Sequence, residues 1–250
     1  MILYIDKPKD WTSFDVINKL KSKYPRKTKI WHSGTLDPMA TGMLLIAVWK
    51  DTKSLSEYVW LDKTYETVID FSKKTDTWDL QYRRWHTQGK VLGDNIVFAP
   101  SDIVDTRPGD PWTAQTYGFV NKEIVVSAPN LEDIDAYMKT LIWVHDIPLT
   151  PFSAKKVKGK KLYEYAREWK PIFKDVPMEI ISYEILQYKF PRIHIRLQVW
   201  SGTYVRSIWH LIGSHFGLGW VLSQLNRTAI WEYTDMVSID EIKEQKDFVE

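Results

Sequence analysis

The hydrophobic pattern divides the chain into short strands and amphipathic helices. Residues 2–6 alternate weakly and stop at Lys7-Pro8, which predicts a short strand and a turn. Thr12 or Ser13 can cap a helix running to about residue 24, with Val16, Ile17 and Leu20 on one face and Pro25 ending it. The apolar run 43–48 predicts a buried strand. Residues 52–61 read as a helix with Leu55, Tyr58 and Val59 inward, and 64–71 as a strand that puts Tyr65, Thr67, Ile69 and Phe71 on one face. Residues 78–120 are polar and irregular. Asn130 can cap a helix over 131–141, with Leu131, Ile134, Met138 and Leu141 on one stripe. Strands over 178–190 and 192–199 are separated at Pro191, the second alternating through Ile193, Ile195, Leu197 and Val199. There is no internal repeat and no low-complexity tract.

Composition narrows the function classes. A chain of 250 residues can form one large domain, or one domain and a small appendage. Its 44% hydrophobic and 26% charged residues are ordinary for a globular protein. The absence of cysteine excludes disulfides, thiolate chemistry and cysteine-based zinc sites. No phosphate-cradling nucleotide loop and no His-Glu metal spacing occurs, and His210 and His215 are poorly spaced for one helical face. The first residues are too poor in apolar side chains for a signal peptide, and no window approaches a membrane span; the expected location is the cytoplasm.

A net charge of +2 demands no acidic partner, but the basic residues cluster. Lys19, Lys21, Lys23, Arg26, Lys27 and Lys29 line the polar side of the first helix and its following loop. That stripe is either a solvated face or a phosphate contact. Five lysines between 155 and 161 are interleaved with aromatics and a glycine turn, a pattern that favours a phosphate backbone.

Chemistry concentrates in His32-Ser33-Gly34-Thr35-Leu36-Asp37-Pro38-Met39-Ala40-Thr41-Gly42-Met43-Leu44. Gly34 and Gly42 permit backbone angles that a Cβ forbids, and Pro38 stiffens the chain after the acid. Asp37 either caps a turn or is held on a rigid loop as a nucleophile or base. The whole string resembles the signature loop of the TruB family of tRNA pseudouridine synthases. So do the opening Lys7-Pro8-Lys9…Thr12-Ser13-Phe14-Asp15, the element Lys63-Thr64-Tyr65-Glu66, and Thr75-Asp76-Thr77, which matches the family's turn. A second long match runs from Pro151-Phe152-Ser153-Ala154-Lys155 to Tyr163-Glu164-Tyr165-Ala166-Arg167, with Phe152 where tyrosine is common. The third is Ser201-Gly202-Thr203-Tyr204-Val205-Arg206-Ser207-Ile208. Leu225-Asn226-Arg227-Thr228 departs from the usual Leu-Arg-Arg-Thr at Asn226, which puts a secondary RNA contact in doubt.

The resemblance implies an α+β pseudouridine synthase fold: a central, largely antiparallel sheet with flanking helices and an active-site cleft. It implies a catalytic domain over 1–235 and a short tail over 236–250 in place of the PUA-type RNA-binding domain common in the family, hence weaker RNA affinity. The implied activity is isomerisation of the T-loop uridine of tRNA, position 55, to pseudouridine by a monomer, with no cofactor, metal or membrane. Asp37 is then the nucleophile or base, Arg206 its ion-pair partner, and Tyr65 the ring against the target base. His32 stacks on the displaced loop, Leu225 closes the apolar wall, and Lys158, Lys160 and Lys161 meet phosphates. The helix over 131–141 falls in the family's mobile flap. A non-catalytic tRNA chaperone and a guide-RNA-dependent synthase module are the alternatives. The intact Asp37, Tyr65 and Arg206 set weighs against the first, and the short C-terminus against the second.

One count is anomalous: 13 tryptophans against 11 glycines, where glycine averages about 7%. At Trp31, Trp49, Trp60, Trp143, Trp169 and Trp231 the family pattern has glycine; Trp78, Trp200, Trp209 and Trp220 are weaker cases. Glycine in such turns supplies positive φ or close backbone approach. Trp31 is therefore expected to crowd the loop at His32, and Trp60 and Trp143 to strain tight turns.

Overall fold

The computed structural model describes residues 1–79, 85–99, 103–105, 123–168, 170, 172 and 174–244. The elements begin with β1 (Ile2–Lys7), α1 (Ser13–Lys21), β2 (Ile30–Ser33), β3 (Thr41–Val48), α2 (Leu55–Val59) and β4 (Lys63–Asp70). Short strands follow: β5 (Lys73–Asp79), β6 (Trp85–Gln88), β7 (Lys90–Leu92), β8 (Asn95–Phe98), β9 (Ile103–Asp105) and β10 (Ile124–Ser127). Then come α3 (Leu131–Thr140), β11 (Trp143–Pro148), β12 (Lys156–Val157), β13 (Lys160–Lys161) and α4 (Leu162–Arg167). The chain closes with β14 (Asp175–Lys189), β15 (Arg192–Val199), α5 (Val205–His215), β16 (Trp220–Ile230) and β17 (Val237–Ser238). Few helices accompany a mixed sheet, so the class is α+β.

Two compact units form: Met1–Thr67 with Arg196–Ser201 and Gln224–Glu250, and Val68–Ile195 with Gly202–Ser223. In the first, the strand order is β15-β4-β16-β3-β1-β17, with β2 also on β3. β1–β3 and β2–β3 are antiparallel; β1–β17 and β16–β3 are parallel. Strand β3 is buried on both faces, which its unbroken apolar run requires. Its alternating side chains feed two cores. Leu44, Ile46 and Val48 pack with Ile5 and with Val16, Ile17 and Leu20 of α1. Met43 and Leu45 face Ile230, with Leu55 and Tyr58 alongside. Leu44→Ala should cost about 2–5 kcal/mol in urea unfolding, because the site is walled by strand and helix and cannot collapse. A loss below about 1 kcal/mol would show that the wall relaxes.

Helix α1 starts where its chemistry allows. Thr12 caps it, its Oγ1 accepting from the Asp15 amide at 3.1 Å while the Asp15 carboxylate accepts from the Thr12 amide at 2.8 Å. In the second unit, β14 pairs antiparallel with β11 and lies beside β15. β8 pairs with β7 and β10, and β5 with β6 and the start of β16.

Several expectations are corrected. The stretch 52–61 is a 3-10 turn (Trp49–Lys53) followed by the short α2, and Val59 is exposed. Leu131, at the first turn of α3, is exposed as well, while Ile134 and Met138 are buried. Thr75-Asp76-Thr77 lies in β5, not in a turn. Parts of 78–120 form strands, and 80–84, 100–102 and 106–120 lie outside the described residues.

The tryptophans divide. Trp143 does take a strained φ of 84°, but Trp60 does not: its φ is −81° at the end of α2, where the chain continues a helical turn. Trp31, on β2, is 57% exposed, so solvent gives its ring room. Trp49 and Trp231 have φ of 58° and 52°. Trp169 lies outside the described residues.

Candidate active site

The loop 34–40 joins β2 to β3, and it is clamped on both sides of Asp37. Before the acid, the Leu36 amide donates to Ser13 Oγ at 3.0 Å, and Ser13 Oγ donates back to the Leu36 carbonyl at 3.3 Å. After it, the Pro38 carbonyl accepts from Lys7 Nζ at 3.1 Å and from the Asp10 amide at 2.8 Å. Leu36, Met39 and Ala40 are buried, anchoring the loop from below, while Asp37 itself is half-buried. The Ala40 amide donates to the Asp37 carbonyl at 3.0 Å, closing a turn over Pro38. At the exit, Gly42 has φ 93°, and a Cβ there would collide with Asn226 Oδ1 and the Arg227 carbonyl. Only glycine fits where β3 meets β16.

Lys7 is fully buried and also donates to the carbonyls of Trp11 at 2.6 Å and Pro8 at 2.8 Å. Burial pulls its ammonium down to about 8, opposed by the carboxylates of Asp10 and Asp37. Lys63 is likewise buried and donates to the Val59 carbonyl at 2.7 Å and to that of Leu61. Burial first and the Arg227 charge second bring it down to about 8, against Asp62.

Arg227, 1% exposed on β16, ties three pieces together. Its Nε donates to the Met43 carbonyl at 2.7 Å, Nη2 to the Gly34 carbonyl at 2.8 Å, and Nη1 to the Tyr65 hydroxyl at 3.4 Å. The guanidinium lies 5.9 Å from the centre of the Tyr65 ring. His32, half-buried on β2, is held below the ordinary imidazole range by burial first and Arg227 second, so its ring is neutral at pH 7. Its Nδ1 has no partner among the described residues. Leu225 is buried on β16, two residues before Arg227.

Of the residues expected from sequence, the first unit therefore brings together Asp37's loop, His32, Tyr65 and Leu225. Arg206 belongs to the second unit. It is buried at the start of α5, not on the surface where a helix-start arginine usually sits, and its Nη2 donates to the Phe152 carbonyl at 3.4 Å. The lysine cluster forms the β12–β13 hairpin, with Lys158 and Gly159 at its turn (φ 49° and 81°). Lys160 pairs with Glu168 and lies over the Tyr165 ring, and Lys161 donates to the Tyr163 hydroxyl at 3.1 Å. Lys155, Lys156 and Lys158 are exposed. Asn226 is half-buried at the loop's exit, accepting from Thr41 Oγ1 at 3.2 Å.

Sequence reasoning assigned no role to Lys7 or Arg227 and offered Ser13 only as an alternative to Thr12 for capping α1, a part that Thr12 takes. For Arg227 a signal was present: it shares the period-two buried face of β16 with Leu225 and Ala229. A charge on that face has to be satisfied by backbone.

The architecture is a pseudouridine synthase fold. Two solved structures share it: "Structure of H/ACA RNP bound to a substrate RNA containing 2'-deoxyuridine" (TM-score 0.59, 18% identity) and "Crystal Structure of a Cbf5-Nop10-Gar1 Complex" (TM-score 0.59, 20% identity). Each is matched over 96% of this chain, which spans about half of those chains (51% and 52%). Residues 21–95 and 113–205 match the family described as "TruB family pseudouridylate synthase (N terminal domain)". The chain belongs to that family. Similar relatives are the tRNA pseudouridine synthases B of Chloroherpeton thalassium, 34% identical over 93% of this chain and 83% of that protein, and of Aquifex aeolicus, 32% identical over 99% and 72%. Among the described residues no helix is long and apolar enough to cross a membrane.

Proposed function

We propose that this chain isomerises a uridine of tRNA to pseudouridine, acting as a monomer on the T-arm at position 55. The supporting observation is the extended match to tRNA pseudouridine synthases B, together with an Asp37 loop clamped at Leu36 and Pro38. In the reaction the N1–C1′ bond of the nucleotide breaks and a C5–C1′ bond forms; the C5 proton leaves to solvent and N1 gains one. The base must first leave its stack, which a folded RNA loop permits more cheaply than a duplex. Asp37 acts at the sugar–base junction as nucleophile or base. Arg206 pairs with it and orients it, Tyr65 stacks on the uracil, Leu225 walls the pocket, and neutral His32 stacks where the base departed.

The test is tritium release from C5-labelled uridine in unmodified tRNA, with the protein alone. Turnover supports the proposal. Tight binding without turnover would make the protein a tRNA chaperone, and turnover only with an added guide RNA would make it a guide-dependent module.

Two further results are expected. Arg206→Lys should lose nearly as much turnover as Arg206→Ala, because an ammonium cannot reproduce a planar two-point pair with a carboxylate. Most activity surviving in the lysine variant would reduce the role to charge alone. Binding should also fall steeply with salt, and neutralising Lys158, Lys160 and Lys161 together should flatten the slope more than it changes turnover of bound tRNA. Lys158 should carry most of that change, since Lys160 already faces Glu168. An unchanged slope would return the hairpin to a solvated surface.

A further inference from the structure

Five described residues other than glycine have positive φ: Asp10, Trp49, Trp143, Lys158 and Trp231. Tryptophan supplies 13 of the 250 residues yet three of these five. Positive φ is uncommon outside glycine, favours Asn and Asp among the exceptions, and is a genuine outlier for a bulky side chain. Asp10 fits that rule; the three tryptophans break it. Trp143 at 84° lies in the range of this chain's own glycines, beside Gly159 at 81° and Gly202 at 85°.

The angles come from the fold and not from the indoles. The Trp49 amide donates to the Lys29 carbonyl at 2.9 Å and the Trp231 amide to the Asp62 carbonyl at 2.9 Å. Trp143 is in register with Ile180 at the start of β11. These are backbone bonds that any residue could make. The side chains gain little in return. Trp143 is 72% exposed and Trp231 50% exposed, although tryptophan is highly buried on average. Two of the rings do find an aromatic neighbour edge-on, Trp49 against Tyr24 at 5.4 Å and the half-exposed Trp231 against Tyr233 at 5.9 Å, while Trp143 stands open to solvent. Meanwhile glycine is scarce, 11 in the whole chain against an average near 7%.

We propose that the native protein carries glycine at positions 49, 143 and 231, encoded by UGA read as glycine in the source organism. Tryptophan at these places is the same codon read under another code. UGA is a single base from the tryptophan codon UGG and a single base from the glycine codon GGA, so one codon accounts for an excess of the largest residue and a shortage of the smallest. Trp31 and Trp60, exposed but with ordinary φ, lie outside the proposal, as does Trp209, fully buried in α5.

Mass spectrometry of peptides from the protein isolated from its source reads the three positions directly. Glycine at all three is expected, each peptide being lighter by one tryptophan-for-glycine difference, with TGA in the gene. Tryptophan at any of them, or TGG in the gene, overturns the proposal. The backbone half is tested separately in the chain as written. Trp143→Gly and Trp231→Gly should each raise the thermal midpoint by a few degrees, whereas Trp209→Gly, which empties a buried site, should lower it. A lower midpoint in either turn variant would refute the claim that these turns require glycine. None of these readouts depends on RNA modification, so they stand or fall apart from the assigned activity.

Discussion

Asp37→Asn should lower turnover on tRNA by at least about 10⁴-fold, the scale seen when an essential catalytic group is removed. The amide keeps the shape of the carboxylate, and the clamp survives because it is made by neighbours: Ser13 on Leu36, and Lys7 with Asp10 on Pro38. Affinity for tRNA should stay within a few-fold, since most of it comes from phosphate contacts elsewhere. Tritium release and filter binding on one preparation separate the two effects. Measurable turnover in a clean Asn variant would remove Asp37 from the chemistry. A large loss of affinity would mean that the acid serves binding.

Arg227→Met should be the most damaging change outside the acid. It strands the buried Met43 carbonyl, leaves the part-buried Gly34 carbonyl to solvent and frees the Tyr65 hydroxyl, each formerly bonded to a charged donor. Bonds to charged groups contribute about 1.5–3 kcal/mol each and are not additive, so a loss of about 3–5 kcal/mol in denaturant unfolding is expected. Arg227→Lys should recover part of the stability, because one ammonium reaches one of three diverging directions. Turnover measured well below the midpoint should still fall at least tenfold, roughly 1.4 kcal/mol, as Tyr65 and Gly34 lose their common support. A methionine variant within about 1 kcal/mol of the parent would show that the three groups find other partners.

The chemistry-bearing loop was legible because a long string of specific residues carries it. What supports the loop was not. Lys7 and Ser13 act across 31 and 23 residues of sequence, on carbonyl and amide groups that no side-chain pattern announces. Arg227 stood in a motif and in step with Leu225 and Ala229, but the carbonyls it bonds, Met43 and Gly34, lie far away in sequence and no side-chain pattern announces them. Helix α1 was legible because capping and packing agree, with Thr12 at the start and Val16, Ile17 and Leu20 on one stripe. The misreading at 52–61 is local. Trp49 turns the chain with positive φ, the 3-10 turn uses up Lys50 to Lys53, and only five residues remain for α2. The four-residue strand β8 was missed because Asn95-Ile96-Val97-Phe98 is too short to show a period above its polar surroundings.

Loops are where protein lineages ordinarily gain and lose residues, since surface connections absorb changes of length at little cost. The segment carrying Asp37 is denied that freedom. Leu36 is bonded to α1, Pro38 to the chain between β1 and α1, and Gly42 is pressed against β16, all within seven residues. One inserted residue would leave at least one of these anchors out of reach, and one deleted residue would pull the acid below the surface. Length variation in descendants of this chain should therefore accumulate elsewhere, while this stretch keeps a constant residue count even as its individual letters change.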